Sequence, residues 1–136
     1  MSTHVIDERT LTELDHRRIA RLIRTDPEGA THPLDDLLDA ARLVPSREVA
    51  PDVVTMYSQI VVANLDGARR RKLALCYPGD AEPATGFISV LSPVGAGLLG
   101  LSVGAVARWD LPFGQHAAAR VVEMLFQPEA SGDYTL

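Results

Sequence analysis

The chain has 136 residues, a net charge of −5 and a sequence pI of about 5.2, which suits one domain or one domain with a small appendage. Apolar residues make up 46% of the chain, yet no run approaches the roughly 18 apolar residues of a membrane span, so we expect no membrane partner. The acidic balance argues against a protein that grips nucleic acid mainly through its phosphates, and the single cysteine, Cys76, excludes an internal disulfide.

The first part of the chain predicts two amphipathic helices. Residues 10–13, Thr-Leu-Thr-Glu, read as a capping box, so a helix should begin near Leu11. Residues 25–33 interrupt the apolar pattern with two prolines and a glycine, and Pro33 then opens a second helix that Pro45 ends. Two such helices with a short link predict an antiparallel helical hairpin.

The rest of the chain predicts a sheet. Residues 45–52 look like a linker, which suggests a helical unit over 1–50 and a sheet domain over 51–136. Runs of β-branched and apolar residues then predict strands at 53–63, 68–77, 87–91, 105–111 and 115–127. The predicted fold class is α+β: a short helical hairpin followed by a small, mostly antiparallel sheet with one short helix.

That short helix lies in the stretch VLSPVGAGLLGLSVG, which begins at Val90. Gly95, Gly97 and Gly100 have the G-x-G-x-x-G spacing of a dinucleotide site, but the long helix and second parallel strand that such a site needs do not follow. The better interpretation is a short helix with Ser92 as its N-cap and Gly100 as its C-terminal cap. We therefore expect no nucleotide cofactor.

Several segments together carry a family resemblance. PDVVTM at 51–56, Leu91 to Gly95, LLGLSVG at 98–104 and the tail FQPEASGDYTL from Phe126 resemble the Rnk family, the regulators of nucleoside diphosphate kinase. Through Rnk, the second half is similar to the C-terminal domain of the Gre transcript-cleavage factors, and the first half resembles a shortened Gre coiled coil. The resemblance implies an FKBP-like sheet and a bacterial protein that binds RNA polymerase at the entrance to its secondary channel.

The same resemblance implies a polymerase-binding site at the start of the short helix. In the Gre pattern an acidic residue followed by Ser-Pro meets a coiled coil of the polymerase, and Ser92 and Pro93 match that pattern, with Val94 next to them. Leu91 occupies the acidic position, so the contact should depend more on shape and apolar burial. DNA and RNA would be met only indirectly, through the polymerase.

Gre factors also carry acidic residues at the coiled-coil tip, where they help hold the catalytic magnesium of the polymerase. The corresponding tip here holds Asp26 and Glu28. A predicted helix over residues 11–24 is only about 21 Å long, too short an arm to cross a channel to a buried active site. We therefore expect these carboxylates to be solvated turn residues, and we expect no stimulation of transcript cleavage.

Other features favour ordinary structural roles. The basic run at 69–72, Arg-Arg-Arg-Lys, splits its charges between two faces of a strand and is more typical of a solvated or edge-protecting strand than of a contact with acidic polymerase surface or nucleic acid. Cys76 is expected to be a buried core residue rather than a nucleophile, and Trp109 is expected to pack in the sheet. The histidines lack metal-ligand spacing, so no metal is expected.

The sequence thus predicts a non-enzymatic, polymerase-binding regulator with no catalytic residues and no small-molecule substrate. Two alternatives stay open: a prolyl isomerase that uses the FKBP-like sheet, and a structural module that pairs through its helical hairpin. The N-terminus has no secretory pattern, so a cytoplasmic location is expected.

Overall fold

The computed structural model describes residues 8–24 and 33–134. In these residues the helices are α1 (Glu13–Arg24), α2 (Pro33–Ala40) and α3 (Pro93–Leu98). The strands are β1 (Thr10–Thr12), β2 (Arg42–Val44), β3 (Gln59–Ala63), β4 (Arg70–Cys76), β5 (Phe87–Ser89), β6 (Val106–Asp110) and β7 (His116–Phe126). The α+β class is therefore confirmed.

One five-stranded sheet organises the chain, with the strands in the order β5-β4-β3-β7-β6. Only β4 and β5 are parallel, which confirms the prediction of a mostly antiparallel sheet. The two predicted hairpins are present as β3–β4 and β6–β7. A second, two-stranded sheet pairs β1 with β2 in parallel.

The strand predicted over 53–63 forms only in its second half, as β3. The Ser58 backbone N–H donates to the Thr55 carbonyl at 3.0 Å, and the Thr55 N–H donates to Ser58 Oγ at 2.9 Å. Tyr57 inside this turn has a positive φ of 65°. Hydroxyl-to-backbone bonds of this kind compete with strand pairing, so the β-branched run before the turn is not a continuous strand.

The first helix begins later than the sequence predicts. Thr10 to Thr12 form β1, and α1 starts at Glu13. The Asp15 backbone N–H donates to Thr12 Oγ1 at 3.0 Å, so Thr12 caps the helix and the capping box predicted from Thr10 is wrong. Leu11, which is 1% exposed, is buried as part of a strand.

The second helix ends earlier than predicted, at Ala40, and residues 42–44 form β2 instead. The Arg42 N–H donates to the Arg9 carbonyl at 2.9 Å, so backbone pairing with the segment before α1 replaces the last helical turn. Pro45 therefore ends a strand, and the prediction that it ends the helix is wrong.

The two helices run antiparallel across each other. His16, early in α1, donates from Nε2 to the carbonyl oxygen of Leu38, late in α2, at 3.1 Å. At the other end of the pair, Ile23 and Asp35 line the same shallow cleft.

Helices and sheet share one buried apolar cluster. The helical segment contributes Leu11, Ile19, Leu34 and Leu38, and the remainder comes from the sheet, α3 and their connections, including Ile60, Leu75, Val90, Leu98, Leu99 and Val121. Burial of these side chains is what attaches the helical pair to the sheet. The division near residue 50 stays a prediction.

Candidate functional site

The turn before α3 is braced by two serines. Ser92 Oγ accepts from the Gly95 N–H at 3.1 Å and donates to the Ser89 carbonyl at 2.7 Å. Ser89 Oγ in turn accepts from the Leu91 N–H at 3.1 Å. The predicted N-cap and the predicted first helical residue, Pro93, are both confirmed. The start of α3 is therefore held in one shape.

The residues of this turn differ in how far they are buried. Pro93 is exposed, Ser92 is half-buried, and the half-buried side chains of Leu91 and Val94 pack against the core. A Cβ at Gly95 would lie 2.1 Å from the Ser89 carbonyl oxygen, so this helix lies directly on the turn. The result is a rigid protrusion with Pro93 outermost.

The other glycines of α3 and its C-terminus also serve close packing. A Cβ at Gly97 would lie 3.1 Å from the Arg108 carbonyl oxygen of β6. Gly100 has a φ of +83°, and a Cβ there would lie 3.0 Å from the Thr10 carbonyl oxygen. The G-x-G-x-x-G spacing is thus explained by three backbone approaches, to the turn before α3, to β6 and to β1.

A groove of about 710 Å³ runs beside the protrusion, between α3 and the turn end of the β6–β7 hairpin, with Leu37 of α2 also lining it. Pro93, Gly97 and Trp109 contribute to its walls. Arg9 also lines it and donates from Nη1 to the carbonyl oxygen of Leu99, at the C-terminal end of α3, at 2.7 Å. Sequence reasoning missed this groove, because its walls come from residues up to about a hundred positions apart.

Asp110 and His116 also line this groove. His116 Nδ1 and Asp110 Oδ1 are 2.7 Å apart, and these two residues face each other across the β6–β7 pairing. Trp109, the residue before Asp110, is half-buried and packs against the core, as predicted.

A second polar cluster lies inside the protein, where α1 meets the sheet. Asp15 is 2% exposed, and its Oδ2 accepts from the Met56 N–H at 3.1 Å. Burial raises the pKa of Asp15 to about 6. Nearby, Thr55 Oγ1 donates to Glu129 Oε1 at 2.7 Å, and burial raises the pKa of Glu129 as well.

This cluster gives the C-terminal tail a structural role. Besides the Glu129 contact, Gln127 donates from Nε2 to the carbonyl oxygens of Ala50 and Val53, both at 2.8 Å. The tail through Tyr134 therefore packs on the segment that precedes β3, where Tyr134 lies under the guanidinium of Arg47.

The structure also tests the predictions made for the cysteine and for the basic run. Cys76 is fully buried, as expected, and the basic run at 69–72 is exposed. β5 pairs with β4 only at residues 74–76, so the basic part of β4 has an open side, as an edge-protecting strand would. Asp26 and Glu28 lie outside the described residues.

In the part of the chain that the structure describes, no group of three or more His, Cys, Asp or Glu residues could hold a metal ion. Among the same residues, no helix has both the length and the apolar character that crossing a membrane requires.

A helical pair packed on a five-stranded sheet, with a short helix capped by Ser92 at its surface, defines a small α+β protein. Residues 48–125 match the family described as transcription elongation factor, GreA/GreB, C-term. The chain belongs to this family.

Named relatives of the chain support the same family assignment. The chain is 39% identical over 130 residues to a regulator of nucleoside diphosphate kinase from Escherichia coli (strain K12), covering 93% of this chain and 95% of that protein. It is 35% identical over 81 residues to the transcription elongation factor GreA of Flavobacterium johnsoniae, covering 60% of this chain and 51% of that protein. These relatives are named as regulators or factors.

A solved structure supports the fold directly. The prokaryotic transcription elongation factor GreA/GreB from Nitrosomonas europaea is similar to this chain with a TM-score of 0.70 and 34% identity, covering 88% of this chain and 98% of that one. The resemblance to the Rnk and Gre proteins seen in the sequence is therefore confirmed.

Proposed function

We propose that this protein is a non-enzymatic regulator that binds RNA polymerase at the entrance to the secondary channel. In this proposal an FKBP-like sheet domain supplies the affinity, and the short coiled-coil-like helical pair stands in the channel entrance. Membership in the GreA/GreB C-terminal family supports a role in transcription elongation. The observation that carries the proposal is the braced protrusion formed by Ser92, Pro93 and Val94, in which Ser92 and Pro93 match the Gre contact pattern.

The physics of that protrusion favours a protein partner. Its shape is fixed by the Ser92 cap, so little conformational entropy would be lost when a partner covers Pro93. Leu91 stands where the Gre pattern has an acidic residue, and it is half-buried against the core. The contact at this point would therefore depend on shape and apolar burial rather than on a charge from residue 91.

The length of the helical pair favours occupancy of the entrance without transcript cleavage. α1 has 12 residues, which corresponds to about 18 Å. An arm of this length is shorter than the one the sequence predicted, which strengthens the argument that Asp26 and Glu28 do not reach the magnesium of the polymerase. The protein would then compete with Gre-type factors without replacing their activity.

The first prediction tests the protrusion. Pro93→Glu places a charge at the centre of the proposed contact and should weaken binding to core RNA polymerase at least tenfold, measured by pull-down and by titration of labelled protein. Pro83→Glu is the matched control, because Pro83 is also an exposed proline that opens a helical turn. Equal affinity of the folded Pro93→Glu variant and the wild type would move the interface elsewhere.

A further inference from the structure

The five-stranded sheet has a second face, turned away from the buried core, which we call the outer face. Ile60 and Val62 of β3 belong to the core cluster, so Gln59 and Ala63, which alternate with them, point to the opposite side. Paired residues of neighbouring strands share a face, so the register of the sheet extends this assignment to the other four strands.

Four basic side chains form a stripe across the outer face. Arg70 of β4 and Arg120 of β7 both pair with Ala63 of β3, so they lie in one row, about 10 Å apart. Lys72 lies one row to one side of Arg70, and Arg108 of β6 lies one row to the other side. All four are exposed, and Arg108 also lines the groove beside α3. The stripe crosses the sheet diagonally over about 20 Å.

The stripe has an excess of positive charge. Among the residues that the structure describes, none forms an ion pair with any of its four cations. Arg120 donates from Nη1 to the Gly104 carbonyl oxygen at 2.8 Å, which positions the guanidinium without neutralising it. Glu123 lies one row from Arg120, and Asp110 is held by His116. Charges beyond about 8 Å are screened at physiological ionic strength, so the stripe attracts anions although the chain has a net charge of −5.

Two exposed phenylalanines lie on the same face, beside the stripe. Phe87 of β5 pairs with Ala74 of β4, which pairs with Gln59 of β3. Gln59 also pairs with Phe126 of β7, so the two rings lie at the two ends of one row. Phe87 is 41% exposed and Phe126 is 37% exposed, and neither belongs to the core cluster. The outer face therefore carries ring faces next to free cations.

We propose that the outer face binds a single strand of RNA, with bases stacked on Phe87 and Phe126 and phosphates against the basic stripe. Unpaired bases stack on aromatic side chains, and neighbouring cations hold the backbone. A duplex keeps its bases stacked on each other and would leave both rings unused. The half-buried amide of Gln59, between the rings, offers the donor and the acceptor that a 2′-hydroxyl can engage, which favours RNA over DNA.

This inference goes beyond the proposed function and does not rest on it, because it concerns the protein without polymerase. The measurement is fluorescence anisotropy of a labelled single-stranded RNA of about 12 nucleotides, titrated with the full chain. Phe87→Leu combined with Phe126→Leu keeps apolar bulk but removes both rings, and should lower the affinity about tenfold.

Charge variants test the stripe in the same assay. Arg70→Gln combined with Lys72→Gln should weaken binding and should reduce the slope of log affinity against log salt by about 0.7 for each charge removed. Glu123→Gln removes a carboxylate beside the stripe, so it should raise the affinity about twofold. A gain of affinity is an outcome that a misfolded variant would not give.

Matched controls make the same chemical changes elsewhere. Phe113→Leu removes an exposed ring at the β6–β7 turn, and Arg17→Gln removes an exposed charge on α1. Both controls should bind the RNA as the wild type does. Circular dichroism and thermal unfolding would identify any variant that loses the fold.

The outcomes separate the inference from the proposed function. Absence of RNA binding by the wild type, or unchanged affinity in the folded ring and charge variants, would overturn the inference and leave the proposed function standing. Equal binding of single-stranded or duplex DNA would overturn the assignment to RNA, and equal binding of polyglutamate would show that the face takes acidic protein instead. Pro93→Glu should bind the RNA as the wild type does, whatever its affinity for polymerase.

Discussion

At the scale of single residues, the buried carboxyl group of Asp15 makes the stability of the protein depend on pH. It lies in the first turn of α1, where an exposed acidic residue would interact favourably with the helix dipole. Here the same residue is buried against the backbone of Met56, so the loss of hydration outweighs that benefit and raises the pKa to about 6.

Because burial raises the pKa of Asp15, the protein should lose stability as the pH rises. The folded protein holds the Asp15 proton more tightly than the unfolded chain, whose ordinary pKa is 3.8. The stabilisation from this proton is complete below about pH 4 and is lost as the pH rises through about 6, a change of about 3 kcal/mol at most. Glu129 contributes in the same direction.

Asp15→Asn should therefore flatten the pH dependence of stability. Asn can still accept from the Met56 N–H without a buried charge, so the variant should be more stable than the wild type at pH 7.5 and similar to it near pH 4. Urea unfolding at both pH values measures this. Glu13→Gln, an exposed change in the same helical turn, serves as the control; a pH profile of Asp15→Asn that matches the wild type would contradict the argument.

At the scale of elements, α3 depends on the absence of a side chain at Gly95. A Cβ there would meet the Ser89 carbonyl oxygen at 2.1 Å, a distance that backbone atoms cannot accommodate without moving the helix. Such a shift would disturb the Ser92 cap and the position of Pro93 together.

Gly95→Ala should therefore destabilise the protein by about 2 kcal/mol or more and weaken polymerase binding although it leaves Pro93 in place. Chemical denaturation gives the first quantity and titration gives the second. Gly79→Ala is the matched control, because a Cβ at Gly79 has nothing within 4 Å. A stable Gly95→Ala variant would show that the turn before α3 is adaptable.

The same element explains what the sequence can and cannot predict. Ser92 and Pro93 mark the start of α3 by local chemistry, so its existence and its first residue could be predicted. Its C-cap is Leu99, one residue before the predicted Gly100, whose N–H donates to the Val54 carbonyl instead. β1 and β2 have three residues each and form only because distant segments pair, so local patterns favoured helix there. The groove could not be predicted because Arg9, Pro93 and Trp109 come together only in the folded chain.

At the scale of the whole molecule, two properties are separate: how far the helical pair extends, and how much of the channel entrance the protein covers. The sheet, α3 and the β6–β7 hairpin form the broad part of the protein that the proposed function places against the polymerase. α1 and α2, of 12 and 8 residues, pack against the sheet through buried residues such as Ile19 and Leu34. A protein built this way can cover an entrance without extending far beyond it.

One assay tests both the extension of the helical pair and the covering of the entrance. It follows the cleavage of a labelled transcript in a stalled polymerase complex with a Gre factor present. The wild type should suppress the Gre-stimulated cleavage in proportion to its concentration and should stimulate none by itself, because α1, of 12 residues or about 18 Å, is too short to deliver carboxylates to the active centre. Asp26→Ala with Glu28→Ala should suppress as well as the wild type, whereas Pro93→Glu should lose suppression. Direct cleavage by the wild type that disappears in the double variant would show that the helical pair reaches the polymerase magnesium.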